Sequence, residues 1–333
     1  IAVGPAAGLN LAPASRYGLF AKSPLTGVFG ESYAGGHVAP QISAVGVDAV
    51  LLTGAADTPV FLEISDQRVE FHDGGPFWGM DLYESEDALT AAVGAKRAGT
   101  ITIGPAGERQ IPFAVVGNDR GHQSGRTGMG AVMGAKRLKG IVFHGEAERR
   151  VHDPEALRAY DRDLRQRGRE DAGVQAYRQM GTPMVVSIAN TVGSFPSYYW
   201  SAGTVPHWEQ ISAEAIEERL DPRPRACRGC FIACRKRVTV PDGEYAGLTL
   251  EGPEYETLNA FGGLCGVERL DEILYLNSLC DRLGMDTITA GNVAGFAIEA
   301  GRRGALDIEL NYGDAEGIGR LLQSIVNREG PGE

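Results

Sequence analysis

No apolar run in this chain reaches the roughly 18 residues that a membrane-crossing helix needs. Basic residues are also short. Lys and Arg total 32 against 43 Asp and Glu, and the formal net charge is −11. That balance argues against non-specific binding to nucleic acid or to an anionic membrane, leaving room only for local basic pockets. No repeat of fixed period and no low-complexity block is present, and no leader pattern opens the chain. It starts at Ile1 with "IAVGPAAGLN", which reads like the interior of a domain, so a fragment is expected. Cysteine is scarce at five residues, an odd number, and a secreted disulfide framework would carry more of them, more widely spread.

Glycine is abundant instead. Its 46 residues are about twice the usual share and follow no collagen-like period. They must serve turns and close backbone approaches, a pattern that often accompanies a bound ligand. Hydrophobic residues make up 43% and charged residues 23% of the 333, a soluble globular composition. The length suits two domains or one large one.

Residues 1–150 read as β-rich. "PVFLEISDQRVEF", "GTITIG" and "LKGIVF" alternate apolar and polar residues between Gly, Asp and Pro breaks. A hairpin turn is expected at Asp66–Gln67, and a helix over "SEDALTAAVGAK" with Ser85 as its N-cap. Residues 151–333 read as mainly helical. Asp153-Pro154 should cap a helix, and further helices fall on "SAEAIEERL", "ERLDEILYLNSLCDRLGM" and "DTITAGNVAGFAIEAGRRG". The expected class is α+β, with its division near residue 150.

Three of the five cysteines form Cys227-x2-Cys230-x3-Cys234. Thiolates suit soft metals, and this spacing lets one tight loop aim three sulfurs at one centre. Three close cysteines with a distant fourth is an iron–sulfur layout. A structural zinc site usually adds a second knuckle or a His pair, and neither lies nearby. Zinc and free thiols remain as alternatives. Arg225, Arg228, Arg235, Lys236 and Arg237 would offset thiolate charge. Cys265 and Cys280 are the remaining candidates for a fourth ligand within the chain, with Cys280 reading as a buried thiol on a helix.

Other stretches carry weaker signals. "GRTGMGAVMGAKRLKG" fits neither the dinucleotide nor the P-loop spacing. Arg126 among glycines suits an anion, although a packed turn before a helix reads equally well. Glu251, Glu254 and Glu256 precede an apolar segment, either as a helix start favoured by the dipole or with one acting as an acid or base. Asp281 and Asp286 flank Gly284 at a helix end, where Gly284 suits the C-cap.

Together "SRYGLFAKSPLTG" (15–27), "GGHVAPQISAVGVDAVLLTGAADTPVFLEI" (35–64), "IGPAGE" (103–108), "GRTGMGAVMGAKRLKGIVF" (125–143), "CRGCFIAC" (227–234), "EGPEYETL" (251–258) and "CDRLGMDTITAGN" (280–292) resemble the aldehyde:ferredoxin oxidoreductase family. The pieces run in family order. The resemblance implies a β-rich base domain under a tungsten or molybdenum bis-pterin, helical domains above it, and a [4Fe-4S] cluster. It implies a cytoplasmic enzyme that oxidises a small aldehyde and passes electrons to ferredoxin or an iron–sulfur subunit, with oligomers common. Nucleic acid and membrane are not expected partners. An aromatic acyl-thioester or acid reductase is the alternative within the family, and a zinc-stabilised, non-catalytic binding module the alternative outside it.

The resemblance also assigns residues. Cys227, Cys230 and Cys234 match three cluster ligands. Arg16 and Gly35 match pterin contacts, with Tyr33 where the best-known members have Asn. Arg126, Thr127, Gly128 and Met129 match the stretch meeting pterin phosphates. Asp281, Met285 and Asp286 match a D-x-x-G-L-D pterin loop, Met285 replacing Leu. Glu256 matches a carboxylate beside the metal, with Tyr255 next to it. A second pterin loop, an active-site His and the fourth cluster cysteine are expected beyond Glu333, so the chain alone should not hold the complete cofactor. Tyr275 and Ser278 replace the Glu and His that hold a subunit-bridging iron in some members.

Overall fold

A computed structural model describes residues 1–9 and 11–333. Its contacts divide the chain into two compact units. The first comprises Ile1–Gln175, Ala226–Ile232 and Arg282–Met285, and the second Ala176–Arg225, Ala233–Asp281 and Asp286–Glu333. Helices and mixed sheets make the fold α+β, as the sequence implies.

In chain order the first unit contains β1 (Ala2–Val3), β2 (Tyr17–Lys22), β3 (Phe29–Ala34), α1 (Val38–Ala44), β4 (Val60–Ile64) and β5 (Val69–Asp73). Next come α2 (Leu82–Val93), β6 (Gly99–Thr102), α3 (Pro105–Glu108), β7 (Val116–Asn118), β8 (His122–Ser124), α4 (Met129–Ala135), β9 (Leu138–Phe143) and α5 (Pro154–Glu170). Strands β1-β2-β3 form one antiparallel sheet; the second runs β5-β4-β9-β6-β7-β8. Its β4–β9 pair is parallel.

Every residue of β9 is buried, so it shows no polar alternation. Ile141 and Phe143 meet Leu62, Ile64, Ile101 and residues of α1 and α4, while Val142 meets Phe61 and Leu89 of α2. Helices on both faces therefore cover this strand. Lys139, in the same strand, is fully buried and is held by the Glu108 carboxylate and by Met80 O at 3.1 Å. A buried ammonium needs such partners, because desolvation otherwise outweighs any gain.

The hairpin turn lies at Asp66–Gln67, closed by Ser65 N donating to Arg68 O at 2.9 Å. The cap of α2 differs from the expectation. Asp81, not Ser85, is the N-cap, in a capping box with Glu84. Ser85 lies inside the first turn and donates to Asp81 O. The D-x-x-E pattern satisfies two orphan backbone donors, more than a lone Ser provides.

Beyond α5, which Asp153 caps as predicted, the chain runs through α6 (Ala172–Met180) into the second unit. There α7 (Val185–Thr191) and α8 (Ala213–Leu220) precede an antiparallel sheet of β10 (Arg223–Arg225), β11 (Arg235–Thr239) and β12 (Thr249–Glu251). Then come α9 (Tyr255–Thr257), a π-helix over Leu258–Leu264, α10 (Leu270–Leu283), α11 (Thr287–Arg302) and α12 (Ala315–Asn327). Leu258, Phe261, Ile273, Leu274, Ile298, Ile318 and Leu322 are fully buried. No described helix is long and apolar enough to cross a membrane.

Candidate functional site

In the first unit the predicted residues gather around the β2–β3 pair. Tyr17 pairs with Ala34 and Gly18 with Tyr33, so Arg16 and Gly35 stand at the same end of the ladder. Arg16 is exposed. Tyr33 is also exposed, and its hydroxyl donates to Glu31 Oε2 at 2.9 Å.

Gly35 makes the decisive approach. A Cβ on it would lie 2.7 Å from Cys227 Sγ, so only hydrogen fits between this backbone and the sulfur. The neighbouring bonds fix the approach. Gly35 O accepts from Asn118 Nδ2 at 3.1 Å, and Asn118 Oδ1 accepts from Tyr17 Oη at 2.7 Å. Gly36 O accepts from Ser15 Oγ at 2.6 Å and from Arg228 N at 3.0 Å.

The cysteine turn is held from its other side as well. Cys230 N donates to Cys227 O at 3.0 Å, and Gly229 takes a left-handed φ of 75°. Gly229 O accepts from Arg165 Nη2 at 2.9 Å, while Arg165 Nε pairs with Asp161 Oδ2 at 2.6 Å. Phe231 lies against Gly168 of α5, where a Cβ would come within 2.1 Å of its ring. Cys227 and Cys230 are both free and half-buried. Two thiols presented on one strapped, positively flanked turn suit a soft metal centre.

The stretch Gly125–Met129 runs along β3. Ser32 Oγ donates to Gly125 O at 2.8 Å and Thr127 Oγ1 to Glu31 O at 3.4 Å. Arg126 is exposed at a left-handed φ of 70°. Gly128 has φ 75°, and a Cβ there would meet Pro112 O at 2.1 Å. Met129 is buried and opens α4. Met285 belongs to this unit too, bridging Ala114, with Val115 N donating to Gly284 O at 2.9 Å.

The second unit holds Cys234, Tyr255, Glu256, Asp281 and Asp286. Cys234 is half-buried. Its carbonyl accepts from the buried Lys236 Nζ at 3.0 Å. Burial lowers the pKa of that ammonium, and the neighbouring Cys234 opposes the shift. Glu251 and Glu254 are engaged by Arg235 at 3.9 and 3.8 Å, and Thr182 Oγ1 donates to Glu254. Glu256 is exposed on α9, directly before the π-helix. Tyr255 lies against Phe195 at 6.1 Å, and burial, then the Glu256 charge, raises its pKa above the usual tyrosine value.

Asp281 is buried and accepts from Asn277 Nδ2 at 2.9 Å. Asp286 caps α11, accepting from Thr289 N at 2.9 Å, and Gly284 takes the left-handed conformation after α10. Burial raises the pKa of both Cys265 and Cys280, and the Cys265 thiol donates to Gly291 O at 3.2 Å. Both behave as core thiols.

Two family models match the sequence. Residues 1–145 match the N-terminal domain of aldehyde ferredoxin oxidoreductase, and residues 159–333 match its domains 2 and 3. The chain belongs to the aldehyde ferredoxin oxidoreductase family. Curated members of this family include the tungsten-containing aldehyde ferredoxin oxidoreductases of Pyrococcus furiosus, 33% identical over 344 residues, and Pyrococcus abyssi, 34% identical over 346. Both alignments cover all of this chain and 56% of the relative, so the chain spans about half the length of these family members. The WOR-like subunit of an aliphatic sulfonate oxidoreductase from P. furiosus is 31% identical over 354 residues. Among solved structures, the active site complex BamBC of benzoyl coenzyme A reductase shares the fold, with a TM-score of 0.82 over 99% of this chain and 52% of that chain, at 22% identity.

Proposed function

We infer that this aldehyde ferredoxin oxidoreductase family chain is part of an enzyme that oxidises aldehydes to carboxylic acids at a tungsten or molybdenum bis-pterin centre. Aldehyde and water give carboxylic acid, two protons and two electrons. A [4Fe-4S] cluster held by Cys227, Cys230 and Cys234 would supply the electron exit to ferredoxin or an iron–sulfur subunit, and the enzyme works in the cytoplasm. The carrying observation is the Gly35–Cys227 approach, which ties a residue read as a pterin contact directly to a residue read as a cluster ligand.

The residues present suit these groups. Cys227, Cys230 and Cys234 offer soft thiolate donors, three of the four that a [4Fe-4S] cluster takes. Arg16 and Arg126 offer exposed guanidiniums for phosphate oxygens beside backbone that approaches closely at Gly35 and Gly128. Asp281, Met285 and Asp286 form a pterin loop in this reading. When bound, the pterin-held metal supplies the two-electron chemistry and polarises the reacting oxygen. Glu256 takes or returns a proton at its carboxylate, with the protonated Tyr255 hydroxyl beside it.

Metal analysis of the full-length protein tests the reading. Tungsten or molybdenum with about four iron atoms per chain is the expected result. One zinc without iron would replace it with a zinc-stabilised binding module. Turnover of acyl thioesters but not aldehydes would move the chemistry to a reductase of the same family.

A further inference from the structure

A second cluster of ligating side chains lies on the six-stranded sheet, among residues with no part in the function proposed above. We propose that Glu63, His72 and His144, assisted by Glu70, form a binding site for a divalent cation of the zinc type. Register brings them together. Glu63 of β4 pairs with Glu70 of β5 and with Val142 of β9, while Phe61 pairs with His72. Side chains of paired residues share a face, as do residues two apart along a strand. His144 follows Val142 by two, and its N–H donates to Ile64 O at 3.1 Å, which keeps it in register with β4. Three neighbouring strands thus bring two imidazoles and two carboxylates to one face of the sheet.

Glu63 is the hub of the group, one carboxylate oxygen facing each imidazole, and His144 joins it through Glu63. Glu63 Oε2 lies 3.0 Å from His72 Nε2, and Glu63 Oε1 lies 2.8 Å from His144 Nε2. Glu70 Oε2 is 3.9 Å from His72 Nε2. One ligand atom each from Glu63, Glu70 and His72 falls within 4.8 Å of the others. The His72 ring is stacked on Phe61 at 4.7 Å and 16°, which fixes its orientation. Glu63 is only 8% exposed. Its two carboxylate oxygens already face two nitrogen ligands.

The donor chemistry selects the ion. Two imidazole nitrogens with carboxylate oxygens suit Zn2+, Co2+ or Ni2+, whereas Ca2+ and Mg2+ prefer all-oxygen shells. Access exists, since Glu63 and His144 line an open cleft. Glu70 also pairs with Arg68 at 3.2 Å, so its recruitment as a ligand requires that exposed pair to part. Exposed pairs of this kind part readily.

The test uses the full-length protein with its cysteines occupied by their own cluster. Zn2+ alone is titrated by calorimetry, and the bound ion is examined by X-ray absorption. One saturable Zn2+ per chain with nitrogen and oxygen neighbours is expected. Affinity should fall at least tenfold in both Glu63→Gln and His144→Asn, while iron content stays unchanged. His144 is partly exposed, so its variant retains the fold even where the buried Glu63→Gln does not. Absence of saturable binding, Zn2+ bound through sulfur, or affinity unchanged in the folded His144→Asn protein would each overturn the proposal. None of these outcomes depends on the aldehyde reaction.

Discussion

The backbone of Gly35 lies so close to Cys227 that a single added carbon would stand 2.7 Å from Sγ. Gly35→Ala therefore has to turn the Cys227 sulfur away or push the cysteine turn or the end of β3. Overpacking of this kind costs about 1–3 kcal/mol. The expected outcome in the full-length protein is a reduced iron content per chain, read by elemental analysis. The fold, read by circular dichroism, should remain. Full iron occupancy in Gly35→Ala would detach this contact from cluster assembly.

Arg165 is the second support of that turn, through Gly229 O and Asp161. Its removal leaves a carboxylate and a carbonyl without their charged partner. Such hydrogen bonds contribute about 1.5–3 kcal/mol when shielded, and less here because Arg165 is partly exposed. Arg165→Ala should lower the melting temperature by a few degrees and speed the loss of iron in air. Arg165→Lys, which keeps the charge but not the fork, should fall between the two. Identical iron-loss rates in all three proteins would remove Arg165 from this role.

Much of this was legible from local pattern. The turn at Asp66–Gln67, the Asp153 cap and the three central helices follow from spacing and cap chemistry alone. The capping box at Asp81 was equally local but was masked by Ser85, a good cap residue in the wrong register. The helix α12 went unread although Ile318, Leu321, Leu322, Ile325 and Val326 keep helical spacing, because Gly317 and Gly319 lower its apparent propensity. The π-helix at Leu258–Leu264 has no sequence signature; it depends on Gly262 and Gly263, where a Cβ would strike Ile211 and Pro196 O. Within the site, the cysteines announced themselves by spacing. Asn118, Ser15 and Arg165 did not, because their role is to bond backbone carbonyls across 83, 21 and 64 residues of sequence. The Glu63 group was hidden for the same reason, since only sheet register assembles it.

Glu86 gives a pH prediction. Its carboxylate accepts from Asp119 N at 2.6 Å and Arg120 N at 2.9 Å. Burial, followed by the charges of Asp119 and Asp87, outweighs those bonds and pushes its pKa up to about 7. A carboxyl with a raised folded pKa holds its proton more tightly in the native state. Its contribution is complete below the unfolded value of 4.5 and is lost as pH rises through about 7. The largest loss is on the order of 1–3 kcal/mol across that window. Urea unfolding of the wild type at pH 5 and pH 8 should show the fall, and Glu86→Gln should flatten it. An equal slope in both proteins would assign the pH dependence to other groups.

Glu256 tests the proposed chemistry itself. It is exposed in this chain, so Glu256→Gln should leave stability within about 0.5 kcal/mol of wild type. Loss of a general acid or base typically lowers turnover by about 10²–10⁴-fold. That pairing of outcomes separates a proton-handling role from a structural one. In the full-length protein, Glu256→Gln should lose aldehyde oxidation by such a factor while tungsten or molybdenum content stays at the wild-type level. Tyr255 provides the internal comparison. Its hydroxyl has a raised pKa and stays protonated at neutral pH, so it can donate a hydrogen bond but not serve as the base. Tyr255→Phe should therefore cost less than Glu256→Gln and leave the pH profile of kcat/KM in place. Unchanged turnover in Glu256→Gln, or a loss that tracks missing metal, would remove the carboxylate from the reaction.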